Sequence, residues 1–507
     1  MSAYGLLPAE NFVVTTGNGG DGGLPQAMWY FRDEVIAVPR PDVPGAGFAR
    51  ELRLAADLAA WAARTPLGSP VDYPPLVWLA APDVRHGAQL AADARSVRFG
   101  EQTCSFELVP RLPLNGAWFD AGSAAFFCGR PVKMRGNQLA GRFVARSLWP
   151  EDFRLPEQPA RRDLPTGPQA LRDWVRALPQ GGAQAAFAVE SIWQRPDAAR
   201  VQPGQAVLGL MLNGAQGDDD EAHGGHFALM LGRVGEQGAI DDLLVHNFYA
   251  LDHESEKGII AAPVPLDNYL GDLNAGQAWY RPSCLLLATL RDDTCANYLQ
   301  SALGRVYAQF YRHQFSYQHA RANCAGISLS TLRAIGWQVP LNGPESWWRA
   351  FPALALVASR ERSLERGKAS FDYLTEEGTR LYPALAFEAV GADLSALASG
   401  DCPRRLGEFE RRLGQAIEQI LLVRLPQFPS SRAWGDWPVV SSREYTVRVP
   451  ARVSERKIIP VPPRPFPETL RDPLTPREPP LRSDFALWGL LTVAIAALLL
   501  LLRRLLA

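Results

Sequence analysis

The chain has 507 residues, 47% of them hydrophobic, enough for a large core and for two or three domains. Its formal net charge is −1 and no basic stripe interleaves with aromatics, which argues against nucleic acid as a partner. The six cysteines, Cys104, Cys128, Cys284, Cys295, Cys324 and Cys402, form no C-x-x-C pair, which argues against a zinc ribbon or dithiol centre and predicts free thiols in a reducing compartment.

In chain order, the N-terminus shows neither the positive start nor the apolar core of an export signal. "GNGGDGG" then matches G-x-G-x-x-G at Gly17, Gly19 and Gly22, after the strand-like "NFVVTT". A dinucleotide site needs a helix opening on those glycines. The following "AMWYFRDEVIAVP" reads as strands, so the glycines are read as a loop. An amphipathic helix is predicted over Phe48–Ala63, and residues 1–190 as a whole are read as a mixed α/β region of unassigned role.

Residues 191–342 carry the clearest order. "QAVLGLMLN" (Gln205 to Asn213), "HFALMLGRV" (His226 to Val234), "DLLVHNFYAL" (Asp242 to Leu251) and "CLLLATL" (Cys284 to Leu290) are apolar runs of strand length. A helix capped by Asp292 or Asp293 follows. A second is predicted with Cys324 in its first turn, Ile327, Leu329, Leu332 and Ile335 on its buried face, and Gly336 as its stop. Residues 343–425 are read as a helical extension, including "CPRRLGEFERRLGQAIEQILLVRL".

Residues 426–483 are read as a proline-rich stalk, extended where "PVPPRPFPETLRDPLTPREPP" runs, and a docking segment for a proline-reading protein partner. The charge-free run Phe485–Leu502, within 484–507, is long enough to span a bilayer and predicts a single-pass tail anchor. With no export signal, the body is expected on the cytoplasmic side. Arg503 and Arg504 oppose that orientation, and Lys457, Arg464, Arg471, Arg477 and Arg482 restore the balance.

The chemistry gathers around Cys324. A helix start stabilises an anion and so favours a thiolate, whereas a lone cysteine is more often a small buried hydrophobe. A nucleophile needs a base and an orienting group. His226 opens a strand and can serve as base; His246 and Asn247 lie on the next strand, and alternation lets only one of them face His226.

"HFALMLG", a polar residue on the following strand, and "NC" at a helix start with Tyr317 seven residues earlier resemble the circularly permuted papain-like superfamily. Its members include relatives of lecithin:retinol acyltransferase and permuted NlpC-type hydrolases, in which histidine precedes cysteine. The resemblance covers about residues 200 to 340. It implies an α+β fold, with an antiparallel sheet packed on the cysteine helix. It also implies Cys324 as nucleophile, His226 as base and His246 or Asn247 as orienter, with no cofactor. The "AGISL" after the cysteine departs from the acyltransferases' "EHF".

The resulting expectation is a membrane-anchored cysteine hydrolase or acyltransferase acting on an amide, ester or thioester of a membrane lipid or membrane protein. One alternative is a non-catalytic tethered scaffold. Another is a metal-dependent hydrolase built from Asp218, Asp219, Asp220, Glu221, His223, His226, His246, Asp252, His253 and Glu254.

Overall fold

The computed structural model describes residues 3–18, 23–110, 119–165, 167, 169–198, 200–217, 219–251, 260–273, 281–429, 433–459 and 465–472. Strands β1 (Ala3–Tyr4) and β2 (Leu7–Pro8) pair with each other, and β3 (Phe12–Thr16), β4 (Val35–Pro39) and β5 (Val77–Trp78) form a small sheet. Next, β6 (Asp83–Leu90), β7 (Ser96–Phe99), β8 (Gln102–Leu108), β9 (Val132–Leu139) and β10 (Arg142–Pro150) close into a barrel in the order β10-β8-β7-β6-β9.

The apolar runs of the middle segment build the main sheet. Its eight strands are β11 (Ala160–Arg161), β12 (Ala188–Gln194), β13 (Ala206–Asn213), β14 (His226–Arg233), β15 (Leu244–His246), β16 (Pro263–Pro265), β17 (Ser283–Leu290) and β18 (Ile417–Leu425). They lie in the order β11-β12-β18-β17-β13-β14-β15-β16, antiparallel except for β11 and β12. Every residue of β13, β17 and β18 is buried, which is why these strands read as continuous rather than alternating apolar runs. Helix Pro383–Ser399 presses closely on one face: a Cβ at Gly391 would meet Leu171 at 2.5 Å and Leu286 at 2.9 Å.

Two further helices complete the setting of the site. The central helix, Thr294–Tyr311, is buried from Tyr298 to its end. The cysteine helix, Cys324–Ala334, packs against β14 and the helices around it. Its apolar residues Ile327, Leu329 and Leu332 are buried, and Gly336 beyond its end has a positive φ of 97° that favours glycine.

The molecule is a mixed α+β protein with several sheets, a five-stranded barrel and C-terminal helices. Residues Met1–Arg471 form one compact unit, so the segment boundaries expected at 190, 342 and 425 separate no compact bodies. The sheet itself crosses them: β12 spans the first, and β18 comes from the expected helical extension. In that extension the helix ends at Ala416 and the chain passes directly into β18. The reason is tertiary: Ile417, Ile420, Leu421, Leu422 and Val423 are bulky, partly β-branched residues buried between β12 and β17. After the glycine-rich stretch a short helix, Pro25–Tyr30, precedes β4, where strands were expected throughout.

The expected stalk is in part body. Phe428 and Val439 are buried, and Phe466 lies 5.3 Å from Trp29, 5.4 Å from Tyr30 and 4.4 Å from His313, ring centre to ring centre. An aromatic seated in such a cluster cannot belong to a free spacer. Residues 460–464 and 473–507, which hold the rest of the stalk and the expected anchor, lie outside the described residues. Among the described residues no helix is long and apolar enough to cross a membrane.

Candidate active site

Asn323 ends the loop before the cysteine helix and serves as its N-cap, its Oδ1 accepting from the Gly326 N–H at 2.8 Å. Its Nδ2 donates to the carbonyls of His319 and Leu381, both at 2.9 Å. All three bonds fix where the helix starts, and Cys324 is its first residue. The thiol is 3% exposed. Burial pushes its pKa up, while the nearby Phe227 and Ala325 N–H groups, the Tyr317 hydroxyl and the Arg281 charge pull it down; burial wins.

The cysteine helix packs against β14, which His226 and Phe227 open. There the register lines up one row of polar side chains: Ser283 opposite Asn213, and Asn213 opposite His226. Asn213 Nδ2 donates to Ser283 Oγ at 2.8 Å, and the Tyr269 hydroxyl donates to Asn213 Oδ1 at 2.7 Å. On the other side of His226, Tyr249 stacks on the imidazole at 4.3 Å with an interplanar angle of 4°.

The alternation between His246 and Asn247 resolves geometrically. His246 is opposite Leu229, three residues along from His226, and therefore on the other face, where its ring lies 6.3 Å from Tyr307. Asn247, one residue on, shares the His226 face. Its backbone oxygen accepts from the Tyr307 hydroxyl and its Nδ2 donates to the Ile260 carbonyl, both at 2.8 Å. That leaves Asn247 Oδ1 without a well-formed hydrogen bond, as is His226 Nε2. Asn247 nonetheless approaches His226 closely enough to favour its protonated form.

Burial dominates the imidazole, and the Arg281 charge adds to it; together they lower the His226 pKa to about 3. His246 is also lowered to about 3, by burial alone. At neutral pH the thiol and the imidazole are thus both neutral. Tyr269, buried beside Tyr249 and Cys324, is held well above the usual phenol range, chiefly by burial, and stays a hydroxyl donor.

All six cysteines are free. Among the described residues no three His, Cys, Asp or Glu side chains are grouped to hold a metal ion. His223 lies 3.3 Å from Asp220 in a short turn; Asp218, Asp252, His253 and Glu254 lie outside the described residues. A separate cleft of about 450 Å³, lined by Leu67, Thr294, Glu408, Arg411, Arg412 and Gln415, carries no nucleophile.

Asn213, Tyr249, Tyr269, Arg281 and Ser283 were not singled out in the sequence. A signal was there: "QAVLGLMLN" ends on asparagine, "HFALMLGRV" begins with histidine and "SCLLLATL" begins with serine. Antiparallel pairing brings those three ends together. Comparison of the chain with protein-family models, curated proteins and solved structures finds no match to any of them.

Proposed function

We propose that the chain is a cysteine hydrolase or acyltransferase of the permuted papain-like kind, with Cys324 as nucleophile, His226 as base and Asn247 as the residue that orients it. The observation that carries this reading is the packing of the cysteine helix, whose first residue is Cys324, against β14, whose first residue is His226. Asn247, its amide held by Ile260, offers Oδ1 towards His226 and would hold the imidazole by Nε2–H, leaving Nδ1 as the proton acceptor.

In this reading the proton leaves the thiol as it attacks. His226 accepts it, the sulfur adds to the carbonyl carbon, and collapse gives a thioester as the imidazolium protonates the departing amine, alcohol or thiol. N–H groups at the helix start stabilise the oxyanion. Water, or an amine or alcohol acceptor deprotonated by His226, then attacks the thioester and restores the thiol. The substrate is an amide, ester or thioester of a membrane lipid or membrane protein, with the apolar C-terminal run as tether and the body cytoplasmic.

The test is the rate of iodoacetamide labelling of Cys324 in the full chain, with and without His226→Ala. A base of this kind contributes at least about 100-fold, so labelling at pH 7 should fall by that order without the imidazole. An unchanged rate overturns the pair. The burial of Cys324 favours a second reading, a papain-like scaffold with a structural thiol, and that reading expects the unchanged rate.

A further inference from the structure

Arg281 stands immediately before β17, two residues ahead of Ser283, at the end of the sheet that holds the polar row. By alternation it shares the face of Ser283 and Asn213. Its relative exposure is 6%, yet it is not seen to form an ion pair or hydrogen bond with any described residue. The other buried guanidiniums among the described residues are provided for: Arg305 pairs with Asp57 at 2.6 Å and Arg135 with Asp267 at 2.7 Å, while Arg424 donates to the Trp174 carbonyl at 2.9 Å. Arg281 is the exception beside the candidate nucleophile.

An unpaired buried cation is costly, because its hydration is lost without a compensating anion. That cost is offset when an anion completes the group, and a planar fork of donors suits the two oxygens of a carboxylate or phosphate. Its charge reaches the candidate site: His226, Tyr269 and Cys324 all feel it. Around it the row supplies neutral donors and acceptors, Asn213, Ser283 and Tyr269, and His226 Nε2 and Asn247 Oδ1 lack well-formed bonds. No described carboxylate competes for the guanidinium.

We propose that Arg281 binds an anionic group of the substrate, a carboxylate or a phosphate, beside the carbonyl that Cys324 attacks. This rests on the thiol reading above and narrows its substrates to acyl compounds with an oxyanion a few bonds from the scissile carbonyl. A neutral acyl amide would leave the guanidinium unpaired and bind poorly.

The experiment compares alkylation of Cys324 in the full chain by iodoacetate and by iodoacetamide, two reagents that lose iodide to the same thiolate and differ in one carboxylate. The ratio of their rates is normalised to that of free cysteine and measured for the natural chain, Arg281→Gln and Arg281→Lys. The natural chain should favour iodoacetate at least about tenfold over free cysteine, equivalent to about 1.4 kcal/mol. Arg281→Gln should lose that preference and Arg281→Lys keep part of it. Equal normalised ratios in the natural chain and Arg281→Gln overturn the proposal. An iodoacetamide rate indifferent to His226→Ala instead overturns the thiol pair, so the two failures are distinct. Calorimetric titration with inorganic phosphate and with acetate decides the anion site even where the thiol resists both reagents. Heat lost in Arg281→Gln supports the site, its absence in the natural chain overturns it, and the tighter of the two ions identifies phosphate or carboxylate as the group recognised.

Discussion

At the scale of single residues, the two histidines of the sheet are titratable groups held neutral by burial. In the unfolded chain each titrates near 6.5, and in the folded chain near 3. Between those values the unfolded state takes up protons that the folded state refuses. The stability they contribute is therefore complete above about pH 6.5 and declines on acidification, by about 1.4 kcal/mol per pH unit for each histidine. Urea midpoints measured at pH 7, 6 and 5 should fall steadily, and His246→Gln, on the face of the sheet away from His226, should reduce the slope. A flat profile would mean that water reaches both rings. Tyr249 offers a second residue-scale check: Tyr249→Leu removes the ring stacked on His226 and should slow His226-dependent labelling of Cys324 while leaving the protein folded, as judged by its circular dichroism.

At the scale of elements, the cysteine helix is positioned by its cap. Asn323→Ala removes the bond to Gly326 and both bonds to the neighbouring carbonyls, and should cost about 2 kcal/mol in urea unfolding, a cap plus the penalty for stranded buried acceptors. Asn323→Asp retains the acceptor for Gly326 and should recover part of that loss. This helix, its cysteine and its stop at Gly336 were legible in the sequence because they depend on neighbours within a turn or two. So were the four apolar runs, whose length and glycine punctuation are local properties. The row Ser283, Asn213, His226 was not legible as a row, since it depends on the register of three strands whose residues are 70 apart in Asn213 and Ser283. The choice between His246 and Asn247 needed the same register. Strand β18 was misread because an apolar run following an amphipathic helix continues its pattern, and only its partners, β12 and β17, convert it to extended chain.

At the scale of the whole molecule, the N-terminal region is tied to the core by charge as well as by packing. Asp57, on helix Leu54–Arg64, receives two bonds from the Arg305 guanidinium, at 2.6 and 2.7 Å, and a third from Gln309, all buried. Asp57→Ala leaves Arg305 charged and unpaired and should cost about 3–5 kcal/mol. Because residues to Arg471 form one compact unit, the loss should lower a single unfolding transition. A separate early transition confined to the N-terminal region would contradict that. The barrel and the seating of Phe466 on Trp29 and Tyr30 were invisible in the sequence for the same reason: both are made by residues far apart in the chain.

The place of β18 in the sheet carries a consequence for how the protein is made. Among the described residues it is the last strand, yet it lies between β12 and β17, which leave the ribosome long before it. Until residue 425 has emerged, β17 must wait with an open, largely apolar edge. Such an edge invites pairing with other chains. The nascent chain thus passes most of its synthesis without a finished core, and a ribosome stalled before Ile417 would release a product that aggregates rather than a smaller folded protein.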